Sequence, residues 1–146
     1  MAFRLADIVE LIRKEHLKVV VDSLDPNLRP RPILAKFDVL RCILILLDDE
    51  KYFTLTKAFD LVSNRHFKND LSNFDLNSIN SQKILAIQPY LLSESFDFEA
   101  LKKTNWCLAY LSKWVKLTVE FYLTETNLQR SLKEKQSEIT KETLIN

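Results

Sequence analysis

The sequence contains no glycine in 146 residues, where average usage of about 7% would supply roughly ten. Glycine is the default wherever backbone takes positive φ or presses against a ligand. Its absence excludes a P-loop, a dinucleotide fingerprint and a nucleophile elbow together, and with them hairpins built on Asn-Gly or Asp-Gly. Cysteine is almost as scarce. Cys42 and Cys107 stand 65 positions apart, which leaves neither a disulfide framework nor a zinc-site spacing and predicts two buried free thiols in a reduced setting. An excess of charge of one sign is missing too, with 21 basic against 20 acidic residues. That balance argues against a generally basic nucleic-acid binder, so charge must be read by position. The longest apolar run, Cys42 to Leu47, is far too short to cross a bilayer. Asp7 and Glu10 fit neither a signal peptide nor an acid-poor transit peptide. A soluble protein with no membrane and no nucleic-acid partner is expected.

Signs of catalysis are missing as well. His16 and His66 lie 50 positions apart, and nothing recommends either cysteine as a nucleophile. His16 fits a helix seam and His66 a surface. Asp48-Asp49-Glu50 reads as a solvated helix stop, not a metal cluster. The expectation is a chain without catalytic residues, metal or cofactor.

What is present is helical patterning on a chain that is 47% apolar, enough for a core. Residues 3 to 24 place Leu5, Ile8, Val9, Ile12, Val19 and Val20 at helical spacing. Pro26, Pro30 and Pro32 then stop or bend the chain. Ile33 to Leu47 is apolar all round and predicts a central helix. Residues 52 to 63 predict a third helix, with Phe53, Thr56, Phe59, Leu61 and Val62 inward and a break at Asn64-Arg65. Phe67, Leu71 and Phe74 suggest a short turn, and Asn77 and Ser78 suit the N-cap of a helix that kinks or ends near Pro89.

The last helix is expected to run unbroken from Asp97 to about 142. At about 100° per residue, Leu101, Leu108, Leu111, Val115, Val119 and Tyr122 share a stripe roughly 80° wide. Beyond Leu128 only Leu132 and Ile139, seven apart, interrupt the charged residues before the extreme terminus, a seam narrow enough for one partner helix. The predicted architecture is all-α, a small helical bundle at the end of an antiparallel two-helix coiled coil. Residues 1–24 would form the ascending helix, 25–114 the tip and 115–146 the descending helix.

This arrangement resembles the stalk tip of dynein heavy chains, the microtubule-binding domain. Ile12-Arg13-Lys14-Glu15-His16-Leu17 is similar to the end of the ascending stalk helix, and Val39 through Leu47 to the first tip helix. Phe67, Leu71, Asn73-Phe74-Asp75, Ile79, Ile84, Tyr90 and Phe96 follow in the family's spacing. Lys102-Lys103, Leu111, Lys113-Trp114-Val115 and Tyr122 resemble the last tip helix and its continuation, so the likeness spans about residues 10 to 135. The resemblance implies a non-catalytic module that attaches a motor to tubulin, in the cytoplasm and cytoskeleton or the ciliary axoneme. Affinity would be coupled to the register of the two stalk helices. If the chain is a fragment, the rest of a dynein heavy chain would be a further partner.

Tubulin's acidic surface asks for cations that converge. The resemblance assigns microtubule contact to Arg31 and Lys36 around the proline turn, to Arg65 and Lys68, and to Lys102 and Lys103. Lys113 projects only about 20° from Lys102 on a continuous helix. Trp106, on the charged side, reads as an exposed anchor or as packing for the proline turn. Where the family often carries a lysine-rich fourth helix, this chain has Leu85-Ala86-Ile87-Gln88-Pro89. An alternative therefore stands: a stalk-tip-like domain docking another cytoskeletal or ciliary protein.

Overall fold

The structure, a computed structural model, describes residues 5–29, 34–48, 53–93 and 96–145, the stretch 128–145 as helix alone. Among the described residues there are eight α-helices and no strand: α1 Leu5–Glu10, α2 Lys14–Ser23, α3 Asp38–Asp48, α4 Leu55–Ser63, α5 Phe67–Ser72, α6 Ser81–Leu91, α7 Phe98–Thr104 and α8 Trp106–Ile145. The chain is all-α.

The apolar run makes α3 the centre of the bundle. A 3-10 turn, Leu34–Phe37, leads into it, and Val39, Leu40, Cys42, Ile43 and Leu46 are each wholly buried where α3 packs against α4, α6 and α8. Its one long cation, Arg41, is absorbed by the interior. The guanidinium lies 5.1 Å from the Phe53 ring centre and 5.0 Å from that of Tyr90, and it donates to the Tyr90 hydroxyl at 3.1 Å. Near the C-terminal end of α3, buried Lys83 from α6 donates its ammonium to the Leu46 carbonyl at 3.0 Å. A cation there meets carbonyls that the helix itself leaves unpaired.

The first helix is not continuous over residues 3 to 24. It breaks at Leu11–Arg13, where Arg13 is extended (φ −82°, ψ 146°) before α2 begins. The buried residues explain the break. Ile8, Val9 and Ile12 define one direction, while Leu17, Val20 and Leu24 point about 110° further round a straight helix. One rod cannot face both parts of the core. Lys68 of α5 holds the junction by donating its ammonium to the Ile12 carbonyl at 2.8 Å.

The last helix is interrupted as well. Asn105 is extended (φ −162°, ψ 126°) between α7 and α8. Its side-chain oxygen accepts from the backbone N–H of Cys107 at 2.7 Å and of Leu108 at 3.2 Å, an N-cap inside what the periodicity reads as one helix. The amide of the same side chain donates to the His16 carbonyl at 3.0 Å, tying this break to α2. Despite the interruption Leu101, Leu108, Leu111, Val115 and Val119 are all buried.

Along α1 and α2 the α8 neighbours descend in number: Ile8 lies by Leu117 and Glu120, His16 by Trp106 and Tyr110, Val20 by Leu108. The two helices are therefore antiparallel to the first turns of α8, about 106–120, which overlaps the expected 115–142 only at its start, while Phe98 at the head of α7 returns to Leu11 and Tyr110, so α7 doubles back along α8. The expectation for 128–142 falls where only the helix itself is described. Both helices also join the bundle, α1 touching α5 and α2 touching α4, so one hydrophobic core runs from Ile8 to Val119.

One cap differs from the expectation: that of α6 is Asn80, whose oxygen accepts from Lys83 N, while Asn77 and Ser78 belong to a separate 3-10 turn. As expected, α6 ends near Pro89, two residues beyond it at Leu91. In α4, which Thr54 caps, Val62 is buried as expected, but Thr56 is exposed and Ala58 takes an interior position.

Candidate functional site

The cationic candidates lie on separate parts of the surface, Lys36 beside the groove between α2 and α7 and Lys102 on the aromatic side of α7. Lys36 is exposed on the rim of a groove of about 580 Å³ between α2 and α7, opposite Ala100, Leu101 and Thr104. Lys102 and Lys103 occupy the last turn of α7, where positive charge suits the helix's unpaired carbonyls. Lys103 is exposed; Lys102 pairs with Glu99 at 2.8 Å. Arg65 is exposed where α4 turns into α5, its Nε 3.2 Å from His66 Nε2. Lys68 is half-buried, with its ammonium on the Ile12 carbonyl. Arg31 lies outside the described residues.

A second cationic face was only partly legible in the sequence. Lys102 and Lys113, neighbours in projection, both reach the Phe98 ring, at 5.4 and 4.5 Å from its centre. Lys102 also sits 5.4 Å from the Trp106 ring centre. Trp106 is 38% exposed and packs on Tyr110 at 5.6 Å between centroids, so it is a surface aromatic, while most of the proline turn, Pro30 to Ile33, lies outside the described residues. The spacing of Trp106 and Tyr110, one turn apart on α8, carried a signal for this pair. Nothing in the sequence indicated that Leu11 and Arg13 of the α1–α2 junction would join them.

The thiols offer no chemistry. Burial pushes Cys42 far above the ordinary thiol range, with Asp38 adding to the shift and Arg41 opposing it. Burial pushes Cys107 up to about 12, against a smaller opposing pull from Lys68. Both stay protonated at neutral pH, when only a thiolate attacks or binds metal. Among the described residues no group of three or more His, Cys, Asp or Glu could hold a metal ion, and no helix is long and apolar enough to cross a membrane. The described surface offers cations and exposed aromatics for binding. No family model matches the chain, and no curated protein is significantly similar to it.

Proposed function

We propose that the chain is a dynein-stalk-type tip module that binds the microtubule and performs no catalysis of its own. The observation that carries this reading is a helical bundle with Lys36, Arg65 and Lys103 exposed on it, from which a single helix runs on. That helix, α8, is 40 residues and about 60 Å long, buried in the bundle through Val119 and continuing beyond it. Exposed cations on a bundle and a helix that runs on from it suit a module that holds a track at its tip and transmits strain along a stalk. Affinity would follow the sliding of α1 and α2 along α7 and α8. The Asn105 bond to the His16 carbonyl would mark one register of that pair. The module would act on the cytoskeleton, in cytoplasm or axoneme, as part of a larger motor.

Reversal of Lys102 and Lys103 to glutamate tests the contact. The double variant is expected to lose at least about tenfold in affinity for taxol-stabilised microtubules, about 1.4 kcal/mol, with its far-UV circular dichroism unchanged. Unchanged pelleting would remove these lysines from the interface.

A specific observation favours the second reading, docking of another cytoskeletal or ciliary protein. Lys102 is neutralised by Glu99 and Lys68 is held inside, so fewer cations are free for an acidic track. On that reading wild-type protein stays in the supernatant with microtubules even at low salt.

A further inference from the structure

The aromatic face is a different surface from the groove that Lys36 borders and shares only Lys102 with the microtubule reading. Phe98, Trp106 and Tyr110 form one cluster, with centroids 5.6 to 6.3 Å apart. Two depressions open beside Tyr110, of about 340 Å³ toward Arg13 and His16 and about 600 Å³ toward Lys113 and Lys116. Leu11 and Tyr110 line both, so they are adjoining parts of one concave surface. Leu11 is 50% exposed at its centre. A large apolar side chain left to water within a concave, aromatic-lined surface is a mark of binding.

The charges around this floor are one-sided. Arg13 stands on one side and Lys113 and Lys116 on the other, against the single carboxylate of Glu120. Among the described residues no carboxylate pairs with Arg13, Lys113 or Lys116. Lys113 is instead fixed over the Phe98 ring, which presents its ammonium with little ordering cost on binding.

We propose that this face docks an acidic peptide segment of a partner protein. An apolar side chain of that segment sits between Leu11, Phe98 and Leu117, and its carboxylates meet Arg13, Lys113 and Lys116. Aromatics among cations also suit single-stranded nucleic acid, but that ligand needs a positive track following its backbone. Here the cations are separated by an apolar floor, with Glu120 among them, which matches an acidic peptide carrying an apolar anchor.

The test is fluorescence anisotropy of the whole chain with a fluorescein-labelled peptide of glutamates and aspartates around two central leucines. The comparison ligands are the same peptide with serines for the leucines and a polyuridine oligonucleotide. The leucine peptide is expected to bind at least about tenfold more tightly than either. Lys113→Glu with Lys116→Glu, and separately Leu11→Asp, should each weaken it by a similar factor while circular dichroism stays that of wild type. Should Leu11→Asp unfold the chain, Arg13→Glu, an exposed change outside the core, replaces it with the same expectation. Absence of binding by the leucine peptide overturns the proposal, as does equal affinity for the serine peptide, tighter binding of the oligonucleotide, or wild-type affinity in the folded charge variants. The assay contains no microtubules, so its result and that of co-sedimentation are read separately.

Discussion

Asn105 closes two gaps with one side chain, capping α8 through its oxygen and reaching the His16 carbonyl through its amide. Asn105→Ala is expected to cost about 2 kcal/mol, near the upper part of the range for a lost N-cap, because a second bond goes with it. Asn105→Asp keeps the cap acceptor but sets a carboxylate against the His16 carbonyl, so its loss in thermal denaturation should be smaller than that of alanine yet measurable. The thiols make a separate prediction. A thiol held protonated in the fold and ionising near its ordinary value of 9.0 once unfolded leaves stability intact below that pH. It withdraws stability as pH rises toward about 12, the folded value of Cys107, because the unfolded chain then binds fewer protons. Melting temperature should therefore fall between about pH 9 and 12, less steeply in a Cys42→Ala, Cys107→Ala background. At pH 8 neither thiol should react with a disulfide reagent faster than the chain opens.

At the scale of the element, each helix interruption is tied to a group distant in sequence. Lys68 takes the Ile12 carbonyl where α1 ends, and Asn105 answers α2. Lys68→Met keeps the aliphatic stem and removes the donor, and should cost about 1 to 2 kcal/mol with faster hydrogen exchange in the amides of α1 than in those of α3. Periodicity made the faces legible, since Leu101 through Val119 and the apolar run of α3 are buried as their spacing implied. The breaks were not, because periodicity counts side chains while a break is decided by which backbone group finds a partner. The rotation between Ile8–Ile12 and Leu17–Leu24 was in the sequence, but only the fold shows that the core demands both directions. The segment from Asp75 to Asn80 failed for another reason. It offers four residues able to cap, and tertiary packing selected Asp75 for the 3-10 turn and Asn80 for α6.

For the whole molecule, what the sequence showed of the candidate site was its cations and not their partners. Lys102 meets Trp106 and Phe98 because α7 doubles back along α8 at Asn105, while Lys36 borders a separate groove. Lys68 was indistinguishable in sequence from the exposed lysines until the Ile12 carbonyl gave it a role inside the fold. The central claim, that the bundle is a microtubule-binding tip, rests on charge, and charge is screened by salt with a Debye length of about 10 Å at 0.1 M. The most direct measurement is co-sedimentation of the wild-type chain with taxol-stabilised microtubules at low and at high ionic strength. The account predicts a saturable pellet at low salt that is largely released at high salt. Protein that remains in the supernatant at low salt, or that pellets equally at both, would contradict it.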